Sequence, residues 1–338
     1  MLEYFLKIYF MEVFNWGVIG PGKIAKEFVA DMKHVENSHH KLGAVLSHDL
    51  EKAEHFADLQ MAPQAYDNIQ SFLKGANIDA VYIATPHSLH FKETLLCLAH
   101  KIPVLCEKPM GINKTQVYEV ISAATWHETF LLEGMWVRFL PSITKVLDLI
   151  DHDRIGKIVS VKSSMSFKAP HDPENRYFNP NLGGGSLLDL GIYNVFLSLL
   201  LLGKPSKIKA SAKLSTQKID ESSSTYCNYD SGAWSQLESS LISDLANAAE
   251  IQGEKGKITI MKPWNEKPES IILETKDGTE TFPCKWEGRG FQYEIEEVYN
   301  CVKMGKPHSS KMCHSFSLDL VTMMDEIRRQ TGIIYPFD

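Results

Sequence analysis

The chain is 338 residues long, too long for one ordinary hydrophobic core, and its 44% apolar and 23% charged residues describe a globular rather than a disordered protein. A formal net charge of -7 leaves no basic field to attract nucleic acid or anionic lipid, and no Lys/Arg-rich run or nucleic-acid motif occurs. Six cysteines lie scattered without C-x-x-C spacing and the histidines form no H-E-x-x-H pattern, so no metal is expected, and the thiols are read as free in a reducing, cytoplasmic compartment.

Met1 to Phe10 is apolar but short, carries Glu3 and Lys7, and lacks a small-residue cleavage site. Residues 1–13 are therefore read as an extension or tag ahead of the first domain. Phe14 to Ile19 reads as a buried strand, Gly20-Pro21-Gly22 follows, and Ile24, Ala25, Phe28, Met32 and Val35 then recur at helical spacing. This strand–turn–helix context gives weight to the G-x-G-x-x-A pattern of Gly20, Gly22 and Ala25. Gly20 permits the tight turn, Gly22 lets a pyrophosphate approach the backbone, and Ala25 lets the helix pack on the strand. The amides of the helix start, at Lys23 and Ile24, face the phosphates.

Leu42 to Leu46 is the second strand, and its end selects the nicotinamide cofactor. Ser47, His48 and Lys52 suit the 2′-phosphate of NADP. Asp49 keeps NAD possible, although it also stands where it would N-cap the following helix. The alternation continues with helix at Asp67 to Lys74, strand at Ala80 to Ala84, helix at Leu89 to Ala99, strand at Val104 to Cys106, helix at Thr115 to Ala124 and strand at Phe130 to Leu132. Residues 14–134 thus form a doubly wound parallel Rossmann sheet in an α/β protein. Thr85-Pro86-His87 and Glu107-Lys108-Pro109 leave their strands on the same sheet edge as the glycine loop, which brings His90 toward the cofactor as well. Pro109 biases Lys108 toward extended geometry, and a charged pair at a strand's carboxyl end lies where open α/β sheets bind ligands.

Residues 135–338 change pattern. Trp136, Arg138 and Pro141 mark a crossing, a helix follows through Ile143, Val146, Leu147 and Ile150, and strands are expected at Ile158 to Phe167, Ile208 to Leu214, Thr225 to Tyr229, Trp234 to Leu241, Lys257 to Ile260 and Ser270 to Glu274. Consecutive strands without intervening helices predict an α+β domain with a large, mostly antiparallel open sheet, whose wide face suits a homodimer or homotetramer contact. Helices at Tyr293 to Lys303 and Ser317 to Gln330 close the chain. Ser186 to Leu202 is leucine-rich but short and contains Asp189 and Gly191, which predicts a buried helix and no membrane span. Asp189 and Tyr193, four residues apart, fall on one face of that helix, and a buried Asp189 needs a partner. Lys108 from the first domain and Tyr193 from the second would form an acid–base pair across a cleft.

Together the glycine loop, Glu107-Lys108-Pro109, the Asp189/Gly191/Tyr193 helix and the Gly290 to Ile295 stretch resemble the Gfo/Idh/MocA family of nicotinamide-dependent oxidoreductases, over essentially the whole chain from about Asn15 to Phe337. The Met135 to Pro141 and Gly183 to Tyr193 stretches are most similar to its dimeric dihydrodiol dehydrogenase and NADP-dependent D-xylose dehydrogenase branch, which carries tyrosine where many members carry histidine. The resemblance implies a hydride transfer between NADP (or NAD) and a sugar, polyol or trans-dihydrodiol, with Trp136 and Arg138 beside the cofactor and Arg176 beside the substrate. It also implies a cis Lys108–Pro109 bond and 2′-phosphate contacts from Ser47 and Lys52, with His48 departing from the branch's usual arginine. Tyr193 is the expected general acid/base, its phenol brought toward working pH by the Lys108 ammonium. Lys108 would also donate to the substrate oxygen, Asp189 would orient the pair or bind a hydroxyl, and Glu107 would keep the lysine placed, with His87 and Arg176 around the cleft. Two other readings stay open: a catalytically silent nucleotide- or sugar-sensing regulator of the same fold, and an NAD-dependent sugar elimination or hydrolysis enzyme. The retention of both Lys108 and Tyr193 weighs against the sensor.

Overall fold

The computed structural model describes residues 13–36, 38–170, 172 and 175–338. The expected extension lies outside these residues except for Val13, which belongs to the first strand. Strands β1 (Val13–Ile19), β2 (His39–Leu46), β3 (Gln64–Tyr66), β4 (Ala80–Ile83), β5 (Val104–Glu107) and β6 (Leu131–Gly134) run parallel in the order β3-β2-β1-β4-β5-β6. Helices α1 (Lys23–Asp31), α2 (Leu50–Gln60), α3 (Ile69–Gly75), α4 (His87–Ala99) and α5 (Lys114–Trp126) make the crossovers. Every residue of β4, β5 and β6 is buried, which is why these strands read as unbroken apolar runs. The strand order reverses between β1 and β4, and their carboxyl ends open the crevice where such sheets bind ligands.

Two departures from the sequence reading have local causes. β3 is only three half-buried residues and carries no apolar run to announce it. β2 starts three residues early, at His39, because His40 is a core residue: its Nδ1 accepts from Trp16 Nε1 at 3.0 Å, and burial pushes its imidazole down to about 4.

After helix α6 (Pro141–Asp151), a second sheet assembles from β7 (Ile158–Ser166), β8 (Lys207–Leu214), β9 (Asp220–Asn228), β10 (Trp234–Ser240), β11 (Ala249–Gly253), β12 (Gly256–Ile260), β13 (Ser270–Thr275) and β14 (Gly278–Pro283). Its order is β14-β13-β12-β11-β7-β10-β9-β8, antiparallel at every junction but β7/β10. β11 and β14 were not expected; β14 is a polar edge strand, exposed at all but one position. Helix α7 (Ile192–Leu202) covers β7 and β10. Helix α8 (Phe291–Lys303) packs on α1, and α9 (His314–Thr331) packs on β8, α7 and α5, so both tie the two sheets together. The continuous run Pro180–Leu202 is long and apolar enough to cross a membrane, but it is mostly buried inside the protein. Val159 and Tyr226 are exposed on the second sheet, with the Tyr226 ring stacked on Trp234 at 5.5 Å.

The segment before α7 corrects one expectation. Leu187–Gly191 is π-helical, so Asp189 and Tyr193 are not simply one α-turn apart on a regular face. Asp220, fully buried at the start of β9, holds the entry to this segment. Its Oδ2 accepts from Leu187 N at 2.6 Å and from Ser186 Oγ at 2.9 Å, while Oδ1 has no partner among the described residues. Burial pushes its carboxyl up to about 7 against those hydrogen bonds. Between the ordinary carboxylate range and that value the native chain keeps a proton that the unfolded chain has released, so this group withdraws stability as pH rises toward 7. Asp220→Asn removes the titration. Chemical denaturation at about pH 5 and about pH 8 should show the variant gaining roughly 2–3 kcal/mol on the parent across that interval. Parallel stability curves would rule out this role for Asp220.

Candidate active site

Gly20, at the end of β1, has φ +88°, and a β-carbon there would lie 2.7 Å from Thr85 at the end of β4. The loop therefore requires glycine on both conformational and steric grounds. Gly22 faces the opposite situation: no atom lies within 4 Å of where its β-carbon would be, and no side chain caps the first turn of α1. Free amides at Lys23 and Ile24 beneath open space fit a dinucleotide pyrophosphate.

At the end of β2, Ser47 is buried and its Oγ accepts from Asp49 N at 3.3 Å. Asp49 N-caps α2 by accepting from Lys52 N at 3.3 Å and pairs with the Lys52 ammonium at 3.5 Å, while His48 is exposed. Thr85 donates to Glu93 at 2.5 Å, and Pro86 stands at the N-cap of α4. His90 spans two loops, with Nδ1 2.8 Å from the Pro109 carbonyl and Nε2 2.8 Å from that of Thr85. Both ring nitrogens are thus engaged by backbone, which makes His90 a brace between the β4 and β5 loops.

The Lys108–Pro109 bond is cis. Lys108 is buried, and its Nζ donates to the Asp189 carbonyl at 2.8 Å and lies 3.7 Å from Asp189 Oδ1. The same Oδ1 is 3.0 Å from Arg176 and 3.8 Å from His87 Nε2. Burial alone would raise the Asp189 carboxyl, but Lys108, then Arg176, then His87 outweigh it and hold it at about 2. His87, whose Nδ1 is 2.8 Å from the Gly183 carbonyl, is pushed down to about 3 by burial and the Lys108 charge, and is neutral. Its Nδ1 is therefore the donor to that carbonyl.

The pairing of Lys108 with Tyr193 differs in detail from expectation. The ammonium lies over the phenol ring, 4.8 Å from its centre, and the Tyr193 oxygen accepts from Trp136 Nε1 at 3.2 Å. Burial, then the Glu107 charge, raises the Tyr193 phenol well above its ordinary value, so the expected lowering by Lys108 is not found. Glu107 also acts elsewhere than expected: it accepts from Tyr82 OH at 2.5 Å and from the Lys108 backbone N at 3.3 Å, fixing the loop rather than the ammonium. Arg138 stands apart, its Nε donating to the Lys311 carbonyl at 3.0 Å. Trp136 stacks on Phe291 at 4.7 Å, which fixes the indole that meets Tyr193.

Asp31 and Glu294 were not anticipated. Asp31, at the end of α1, accepts from the backbone N of Arg289, Gly290 and Phe291 and so seats α8 on the first domain. Glu294 is fully buried, and its signal in the sequence is a carboxylate on the apolar face formed by Phe291, Ile295 and Val298.

Residues 14–134 match the family model described as an oxidoreductase family with an NAD-binding Rossmann fold, and residues 143–259 match the GFO/IDH/MocA C-terminal domain. The trans-1,2-dihydrobenzene-1,2-diol dehydrogenase of Mus musculus is 33% identical over 334 residues, covering 96% of this chain and 98% of its own. Among solved structures, the aldose-aldose oxidoreductase of Caulobacter crescentus superposes with a TM-score of 0.86 at 21% identity, covering 95% of this chain and 98% of its own. A 3-ketoreductase from Actinomadura kijaniata in complex with NADP and TDP-benzene superposes at 0.83 and 22% identity, with the same 95% and 98% coverage. Two family domains in sequence along one chain, and a full-length relative at 33% identity, place the protein in the Gfo/Idh/MocA family of NAD(P)-binding oxidoreductases.

Proposed function

We propose that the chain moves a hydride between a nicotinamide cofactor, NADP in preference to NAD, and the hydroxyl or carbonyl carbon of a sugar, polyol or trans-dihydrodiol. The observation that carries this reading is the convergence of Lys108, Tyr193, Asp189, His87 and Arg176 beside the glycine loop at the carboxyl edge of the Rossmann sheet. The mouse relative is named for a dihydrodiol, and the structural neighbours are named as a 3-ketoreductase and an aldose-aldose oxidoreductase. A polyhydroxylated substrate also suits a cluster of two cations, a carboxylate and a neutral imidazole.

When bound, the nicotinamide supplies the hydride chemistry. The protein then manages one proton and one developing oxyanion. Trp136 occupies the acceptor side of the Tyr193 oxygen, which leaves the phenolic O–H free to donate to a substrate carbonyl oxygen during reduction. Lys108, held by Asp189, puts a positive charge beside that oxygen as negative charge builds on it. In the oxidative direction the phenolate that takes the alcohol proton is stabilised by the same indole N–H. The buried Ser47 hydroxyl and the Lys52 ammonium support NADP, because the acid of this loop, Asp49, is committed to capping α2.

The test is one assay series. The parent chain and Ser47→Asp are given NADP or NAD with a panel of sugars, polyols and trans-dihydrodiols, following reduced nicotinamide by absorbance. Net cofactor reduction is expected, and the NADP:NAD ratio of kcat/KM should fall roughly 10²-fold in the variant through like-charge repulsion. Turnover without net cofactor change would point instead to transient-oxidant chemistry, and silence across the panel to a sensor. An unchanged ratio removes Ser47 from cofactor choice.

A further inference from the structure

The stretch that follows α9 joins the two domains beside the cleft, and the mechanism above does not use it. Along it Ile333 and Tyr335 are buried while Ile334 between them is exposed, the alternation of an extended segment. Its far end is fastened to the first domain. Asp338 pairs with the buried Arg328 and accepts from Asn113 Nδ2 at 3.4 Å, and Arg328 donates to the Ile112 carbonyl at 2.9 Å, in the loop that carries Lys108. The Asp338 carboxylate also accepts from the Tyr335 backbone N at 2.7 Å, and the Arg328 guanidinium lies over the Tyr335 ring, 4.9 Å from its centre. So held, the Tyr335 hydroxyl donates to the Gly184 carbonyl at 2.6 Å.

Gly183-Gly184-Gly185 leads into the π-helical segment that carries Asp189. Three glycines in a row have no side chains to fix their conformation, so the loop takes its shape from bonds made to it. Each of its carbonyls is held by a different element. That of Gly183 accepts from His87 Nδ1 at 2.8 Å, that of Gly184 from Tyr335, and that of Gly185 from the Asp189 amide at 3.2 Å. Gly184 is buried, so water does not replace a donor lost from its carbonyl. A β-carbon on Gly184 would lie 2.9 Å from the Arg176 carbonyl, so the loop also backs the segment that supplies Arg176.

We propose that Tyr335 is a positioning residue for the active site. Its hydroxyl sets the glycine loop, and through that loop the places of His87, Asp189 and Arg176, while Asp338 and Arg328 clasp the segment to the Lys108 loop. The catalytic consequence rests on the hydride-transfer reading above; the clasp itself does not. His87 Nε2 and Arg176 Nη1 stand 3.8 and 3.0 Å from the Asp189 Oδ1 that faces the Lys108 ammonium at 3.7 Å, so a shift of the loop moves the partners of that ammonium together. Displacements of about 1 Å at such partners cost on the order of 10²-fold in rate. The cofactor side is built separately: Gly20 packs on Thr85 and its N donates to the Leu46 carbonyl, and Ser47 bonds Tyr66 and Asp49. Loosening the clasp therefore acts on substrate and leaves the cofactor bound.

The experiment uses the full chain, Tyr335→Phe, which removes only the hydroxyl, and Asp338→Asn, which weakens the anchor without touching the glycine loop. Hydrogen–deuterium exchange followed by mass spectrometry reads the loop directly, because the amides of Gly183, Gly184 and Gly185 are bonded to the carbonyls of Pro180, Asn179 and Tyr177. In both variants peptides covering residues 177–190 should exchange roughly 10-fold faster, and those covering residues 13–31 at the parent rate. In Tyr335→Phe kcat/KM for the substrate should fall about 10-fold or more, while the Kd for NADP stays within about 2-fold of the parent. Parent-like exchange of the loop in Tyr335→Phe overturns the clasp, and parent-like exchange in Asp338→Asn overturns its anchoring. Faster exchange with an unchanged kcat/KM overturns the positioning role, as does a loss of NADP affinity as large as the loss of kcat/KM. If the chain turns over nothing, the exchange arms still decide the clasp, and the failure then belongs to the proposed activity. If Tyr335→Phe does not fold, Asp338→Asn decides both points by the same measurements.

Discussion

Tyr193→Phe should lower kcat by about 10²–10⁴-fold, the usual worth of a positioned proton donor, while cofactor affinity stays near that of the parent. The substitution removes one oxygen. The ring that lies beneath the Lys108 ammonium at 4.8 Å remains, and so does its packing on α7, so the site should keep its shape. What is lost is the O–H that the Trp136 indole leaves free for substrate, and the indole N–H becomes an unpaired buried donor costing about 1–3 kcal/mol. A modest drop in melting temperature should therefore accompany a large drop in kcat. Because burial and Glu107 keep the parent phenol protonated, carbonyl reduction should tolerate neutral pH well, and alcohol oxidation should improve as pH rises. Steady-state kinetics in both directions, with cofactor Kd from tryptophan quenching, checks this. A Tyr193→Phe enzyme that turns over at the parent rate takes the phenol out of the reaction.

The first domain was legible because its signals are local. Buried parallel strands read as apolar runs, Gly20 and Gly22 carry a steric requirement that shows in the residue itself, and Pro109 constrains the lysine before it. The second domain was less so. β11 alternates buried and exposed residues but is only five residues long with two large polar side chains, and β14 is a polar strand exposed at the sheet edge, so neither offers the longer apolar signal of β7 or β10. The site was legible as a set of residues but not as an arrangement. Nothing in the spacing of Asp189 and Tyr193 announces a π-turn, and nothing near Lys108 shows that its ammonium will bond a backbone carbonyl 81 residues away. Tertiary placement also decided the electrostatics: burial, then the Glu107 charge, raises the Tyr193 phenol, where Lys108 alone would have lowered it. Glu294 is a miss of a different kind, because its position on an apolar helix face was visible in the sequence and only its neighbours were not.

Lys108→Met should cost both activity and stability, and a second substitution should separate the two. The lysine is buried with its charge against Asp189, whose carboxyl it holds down more than Arg176 or His87 does. Removing that charge leaves Asp189 to a half-exposed Arg176 and a neutral imidazole. Breaking a buried pair from one side typically costs about 3–5 kcal/mol, and losing a preorganised donor to a developing oxyanion costs about 10²–10³-fold in kcat. Lys108→Met/Asp189→Asn neutralises both partners, so it should recover most of the stability, as paired removal of a buried ion pair does elsewhere. It should not recover kcat, because the group needed beside the substrate oxygen is still missing. Denaturant midpoints and kcat measured on the parent, the two single variants and the double variant close the cycle. Recovery of turnover in the double variant would mean that Lys108 serves only to neutralise Asp189, and the chemistry would then rest on Tyr193 and His87 alone.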